Sequence, residues 1–270
     1  MRVIRAMLRA SWLVAASYRL NTVISLVGLL FTVVPIYYIA QGLQPVMAGS
    51  IGDQGGQFFA FVLLGGVALN FVGTAMNALP NAVSGSIGGG TLEVLLGAPA
   101  SLTAIFVGLT SYDLMMTCIR SLLMLIAGAA FGAPILWTRV PVAILVLALI
   151  MLAYVPFALL ATSLRIAFRT SGPLLAGVTL VSTILGGVYY PPKVIPKSIP
   201  FWVRGLAEYV PLTSGLRAFR RVLLEGAGIG ETLRDLAPLL IFAPIAIALG
   251  ALCVRWSLAY ARRAGTLSQA

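Results

Sequence analysis

The 270-residue chain is 60% hydrophobic and only 9% charged, with a mean hydropathy of +1.03. A soluble domain carries about 25% charged residues, so lipid is the expected solvent for most of this chain. Eighteen Lys and Arg against seven Asp and Glu give a net charge of +11, and histidine is absent, which removes His-based metal sites, general bases and proton relays.

In chain order, residues 1–22 come first. Arg2, Arg5 and Arg9 share one helical face, and Ile4, Leu8 and Trp12 share another. That pattern predicts a basic amphipathic helix lying in the membrane interface. The apolar run after Leu20 is long enough to span, so no cleavable leader is expected. Charge-poor runs then predict six spans, near 23–40, 58–79, 102–131, 141–164, 172–190 and 236–254. The glycine-rich stretch 85–90 reads as a flexible turn after the second span.

The third span holds Asp113 and Arg120. Seven residues apart, they lie about 10 Å apart along one face. Charges there are expensive in lipid, so both should face protein or a water-filled cavity. They are either a polar site on a substrate pathway or part of a bridge between helices or subunits. Tyr189 and Tyr190, at the outer end of the fifth span, are belt residues or an outer gate. Cys118 and Cys253 sit in apolar stretches and read as inert small hydrophobes.

The connection 191–235 is the least regular part of the chain. Pro191, Pro192, Pro196 and Pro200 exclude helix at its start. Two amphipathic helices are then predicted, over 199–209 and 213–225, separated by Pro211. In the second, Leu216, Phe219 and Leu223 share a face opposite Arg217, Arg221 and Glu225. Both are too short to cross, and they predict a re-entrant or interfacial hairpin, tolerated only where its backbone meets protein or water.

The fold class is therefore all-α and polytopic. One domain, 1–270, is expected: interfacial helix 1–22, spans one to five within 23–190, outer hairpin 191–235, sixth span 236–254 and tail 255–270. The short basic flanks, Arg2, Arg5, Arg9, Arg19, Arg165, Arg169, Arg255, Arg262 and Arg263, place both termini in the cytoplasm. The opposing cations fall mostly in the long 191–235 connection, which counts for less. Arginines flanking apolar runs suit anionic lipid and exclude nucleic acid as the partner.

The chain has no phosphate cradle. Its lysines, Lys193 and Lys197, are not in a GxxxxGK[ST] setting, and Gly85-Ser-Ile-Gly-Gly-Gly90 lacks the spacing of a dinucleotide fingerprint. The next segment runs Gly90-Thr-Leu-Glu-Val-Leu-Leu-Gly-Ala-Pro99. Thr91 suits the N-cap of a short helix, Glu93 its positive end, and Leu92, Leu95 and Leu96 one apolar face. A leucine face in the cytoplasm needs a partner surface.

This run resembles the signature of the ABC type-2 transporter permease family. The late blocks Gly186-Gly-Val-Tyr-Tyr-Pro191, Ile195-Pro196 and Tyr209-Val-Pro-Leu-Thr-Ser-Gly-Leu-Arg-Ala-Phe-Arg-Arg221 resemble the family's second characteristic region. The resemblance implies an export permease that is not itself an enzyme. It would dimerise with a second copy or a related permease and work with a separate ATP-binding subunit. ATP and Mg would sit on that partner, with no cofactor, metal or catalytic residue on this chain. It also implies that Thr91, Leu92, Glu93, Leu95 and Leu96 lie where the cytoplasmic loop meets the ATPase. Family members usually carry charges just before this motif. Here Ser84-Gly-Ser-Ile-Gly-Gly89 stands there, leaving Glu93 as the sole charge.

The expected function is export of a hydrophobic or amphiphilic cargo, lipid or drug-like, from the cytoplasm or inner leaflet across the inner (plasma) membrane. Span faces rich in Leu, Val, Ile and Ala favour this over a polysaccharide or glycolipid exporter. A membrane-embedded lipid enzyme would need an acid–base pair that few residues here can form. An ion-coupled secondary transporter would have only Asp113 and Arg120 to use.

Overall fold

The computed structural model describes residues 19–91, 101–168, 170–191 and 210–264, with Gly97, Gly205 and Ala207 between them. Of the expected interfacial helix 1–22, residues 1–18 lie outside the described residues, as do the leucine segment 92–96 and most of the hairpin helix 199–209, while 19–22 belong to the first long helix instead. Within them every regular element is helical. The helices are α1 (Arg19–Met47), α2 (Phe58–Gly88), α3 (Leu102–Ala130), α4 (Val140–Phe168), α5 (Gly172–Leu185), α6 (Pro211–Arg220) and α7 (Ile229–Ala264).

Among the described residues, four stretches are long and apolar enough to cross a membrane: Val27–Ser50, Phe58–Gly88, Ala104–Ala130 and Trp137–Phe168. Two shorter apolar helical stretches accompany them, Gly172–Leu185 and Ala243–Ala259 within α7. The helix over 102–131 is continuous despite Asp113 and Arg120, and the Ser101 Oγ caps its start by accepting from Ala104 N at 3.3 Å.

Several helix ends differ from the sequence expectation, α1 running to Met47 and α7 covering Ile229–Ala264, and two others show the cause. α2 runs on through Pro80 to Gly88, so most of the expected glycine turn is helix. A single proline removes one hydrogen bond without ending a well-packed helix. The stop comes at Gly90, whose φ of +63° is left-handed, where Gly90 N bonds to Ile87 O at 3.0 Å. α5 ends at Leu185 rather than near 190, because Gly187 turns the chain with φ of +70°.

α4 is the hub, packing along both α7 and α2. α2 also packs on α3, and α1 leans on α2 and α3, whereas α3 and α7 hardly touch. In lipid, packing rather than water exclusion holds helices together, and small residues permit close approach. A Cβ on Gly128 of α3 would collide with Leu63 of α2, and one on Gly215 of α6 with Ile150 of α4.

One buried polar pair joins α4 to α5. The Tyr154 hydroxyl, fully buried, donates to Ser182 Oγ at 2.7 Å. Tyr154→Phe is expected to lower stability by about 0.5–1.5 kcal/mol. Thermal unfolding of the detergent-purified protein measures it, and an unchanged Tm would mean that the pair contributes nothing.

Candidate functional site

Three features of the bundle bear on function: a cleft in one half, and a polar cluster at each end.

The cleft follows from α3 and α7 standing apart over the α2 and α4 floor. It has a volume of about 540 Å³. The floor is Ala75, Ala78 and Leu79 of α2 with Met151, Val155, Ala158 and Leu159 of α4. Phe106, Val107 and Leu114 of α3 form one wall, and Ile247, Ala251 and Val254 of α7 the other. Its hydroxyls are already used. Thr110 donates to Phe106 O at 3.0 Å, and Thr117 donates to Asp113 O at 2.8 Å. Thr74 therefore acts as the donor in the Thr74–Thr117 bond that joins α2 to α3. The surface offered to a ligand is apolar, and Arg255 of α7 is the one charged residue among the described residues of the lining.

Beside the cleft's charged end lies the first polar cluster. Arg165, in the last turn of α4, donates to Ser84 Oγ (2.7 Å), Asn81 Oδ1 (3.3 Å) and Pro80 O (3.4 Å) of α2. Its Nε donates to Ser171 Oγ at 2.8 Å, just before α5. One guanidinium thus ties the end of α2 to α4 and α5. The Thr91 N and Oγ1 both donate to Ser86 O, at 2.9 and 3.3 Å, folding the chain back onto α2 before the leucine segment begins. Of the residues expected to meet the ATPase, Thr91 is the one described; Leu92, Glu93, Leu95 and Leu96 lie outside the described residues.

The second cluster, at the opposite end, centres on Arg220. Arg220 is one of the cations of the 191–235 connection, and it is only 2% exposed. Its Nε and Nη2 donate to Phe61 O (3.1 and 2.9 Å), and Nη2 also to Gly187 O and Val188 O (both 3.1 Å). Nη1 donates to Gln54 Oε1 at 3.1 Å, and the guanidinium stacks 3.4 Å from the Phe61 ring centre. Burial pulls the guanidinium below its ordinary proton affinity. Arginine keeps its charge in proteins all the same, and carbonyl oxygens around it replace water.

The described helix of the hairpin, α6 with its π-helical continuation Arg221–Glu225, has the expected faces. Leu212, Leu216, Phe219 and Leu223 are fully buried, while Arg217 and Glu225 are exposed. α6 seats on α4, α7 and α2, and Arg220 pins it there. A readable signal existed: Arg220 follows Leu216 by four residues and so falls on the apolar face.

The other sequence-predicted residues are separate from the cleft. Asp113 and Arg120 are exposed on α3, with no ion pair between them, and neither lines the cleft. They point roughly a third of a turn from Val107 and Leu114, which do line it. Tyr189 is exposed and Tyr190 half-buried. Both follow the Gly187–Val188 carbonyls that Arg220 holds, so that cluster positions them. Among the described residues no group of His, Cys, Asp or Glu could hold a metal ion.

Long apolar helices packed through glycine contacts, with an apolar cleft between four of them, define a helical integral membrane protein. The ABC-2 type transporter family model matches residues 2–224, and the chain belongs to that family. It is thus an ABC transporter permease subunit, and membership implies an ABC ATPase partner. No individually curated protein matches it.

Proposed function

We propose that this chain is the membrane subunit of an exporter that moves a hydrophobic or amphiphilic cargo, lipid or drug-like, driven by ATP bound with Mg on a separate subunit. The apolar cleft carries this reading, because walls that are apolar apart from Arg255 at one end suit a chain or ring system and not a glycan. In this reading α1, α2, α3, α4, α5 and α7 are the six spans, and α5 reaches the far surface with the help of its 186–191 turn. The Arg165 end faces the cytoplasm with both termini, and the hairpin with α6 enters from the outside of the inner membrane. Two copies, or this chain and a related permease, pair. Asp113 and Arg120, exposed on α3, then serve the paired surface or a polar path beside it, and Tyr189 and Tyr190 form the outer gate.

Energy enters at the Gly90–Pro99 segment, where Thr91, Leu92, Glu93, Leu95 and Leu96 contact the ATPase. Because α2 ends there, its motion reaches α4 and α5 through Arg165. Arg165→Ala is expected to leave basal ATP hydrolysis intact while cutting cargo transport about tenfold, equivalent to roughly 1.4 kcal/mol of lost coupling. Transport and hydrolysis falling together, or neither changing, would contradict this role.

The direct test is reconstitution of the permease with its ATPase in vesicles, followed by uptake of labelled phospholipids, apolar drugs and oligosaccharides. ATP-dependent movement of the first two classes is expected. Movement of oligosaccharides alone, or movement driven by a proton gradient without ATP, would overturn the reading.

A further inference from the structure

We propose that the cleft is a binding site for one phospholipid with an anionic headgroup, drawn sideways from the cytoplasmic leaflet, its chain in the cleft and its phosphate on Arg255. This deepens the function proposed above and rests on its assignment of the Arg165–Arg255 end to the cytoplasm.

Three observations carry it. First, the site is shaped for an amphiphile. Its 540 Å³ lies within the range of roughly 300–1,000 Å³ typical of small-molecule sites, and it is apolar along its length. Second, the one charge sits at one end. Arg255 lines the mouth beside Ser101, at the start of α3, and no described residue forms a hydrogen bond or ion pair with it. A guanidinium that no described residue pairs, at the lip of an apolar cleft, matches a phosphate above a hydrocarbon chain. Third, the depth fits one leaflet. From Arg255 back to Ile247 the α7 wall rises about 12 Å, less than half of the roughly 30 Å hydrocarbon core.

Access is lateral. α3 and α7 hardly touch, and Val107 and Leu114 on the α3 wall remain exposed. A lipid chain can therefore slide between the two helices without crossing a polar barrier, and the headgroup need not leave the interface. A free anion would find Arg255 but nothing to hold it further in.

The test is equilibrium binding to the purified full-length chain in detergent. The probes are phosphatidylglycerol and phosphatidylcholine with a fluorescent acyl chain, and inorganic phosphate as competitor. Phosphatidylglycerol is expected to bind about tenfold more tightly than phosphatidylcholine, and Arg255→Gln to erase that preference. Ala158→Trp, which fills the floor, should abolish binding of both lipids. Ala251→Phe, on the more open α7 wall, gives the same readout should Ala158→Trp not fold. Equal binding of the two lipids, or full competition by phosphate, overturns the headgroup assignment. Unchanged binding in a folded cleft-filling variant overturns the site, as does cross-linking that shows a second copy's helix in the cleft. The assay uses neither ATPase nor transport. If lipid binds as described while ATP-driven lipid movement is absent, the site stands and the transport reading fails.

Discussion

Arg220→Ala is expected to be the most damaging single substitution in the described part of the chain, lowering stability by about 3–5 kcal/mol. The reason is what it leaves behind. Phe61 O, Gly187 O, Val188 O and Gln54 Oε1 all accept from this one side chain, and three elements meet there. Removing the donor strands acceptors in a site that water does not reach, and the penalty is their desolvation rather than a lost surface ion pair. Arg220→Lys should recover only part of the loss, since an ammonium is a point charge and cannot span the divergent acceptors. Thermal unfolding and the yield of monodisperse protein in detergent measure the effect. An Arg220→Ala protein that unfolds within a degree or two of the parent would show that the cluster is incidental. A positioning consequence follows as well: with the 187–188 carbonyls released, Tyr189 and Tyr190 should become more accessible to modification, at temperatures where the helices are still folded.

The second large effect is expected at Gly65. This residue sits one turn beyond Phe61 on α2, and a Cβ there would run into the Val188 carbonyl and stand 3.0 Å from Arg220 Nη2. A backbone carbonyl cannot swing aside as a leucine tip can, so Gly65→Ala must push the 186–191 turn outward. A loss of about 1–3 kcal/mol is expected, the usual range for overpacking. Because the displaced carbonyl is one that Arg220 holds, the Gly65→Ala and Arg220→Ala effects should be strongly non-additive. A double-mutant cycle on the unfolding transition checks this. Additivity within about 0.5 kcal/mol would mean that the two residues act on separate contacts.

These predictions, unlike the one at Arg165, concern the end of the bundle away from the proposed ATPase contact. Together they describe two guanidinium-centred clusters among the described residues, one at each end, and an apolar cleft between them and nearer Arg165. Motion applied at the α2 terminus meets Arg165 before it meets the cleft, and the hairpin helix at the far end is held by Arg220.

The sequence alone determined the class of protein and much of its outline. Long charge-poor runs have one plausible solvent, and the helix is the structure that satisfies every backbone group within it. The centres of the four long apolar helices and the apolar face of α6 follow from local composition and the 3.6-residue period, whereas α3 runs unbroken past Asp113 and Arg120. Helix ends followed less well, because Pro80 and Gly85 look like stops in isolation, whereas packing against neighbours carries α2 past both. Where the +11 goes follows only from the assembled helices. Arg220 reads as one more hairpin cation until α2 and the 187–188 turn are seen to enclose it. Its partner Phe61 lies 159 residues away in the chain. The cleft, likewise, has four walls drawn from four helices, and no periodicity within one helix reveals that α3 and α7 stand apart. Charge and apolar bulk are properties of the chain; the pairing of one arginine with carbonyls, and of another with a cleft mouth, belongs to contacts that exist only once the helices are assembled.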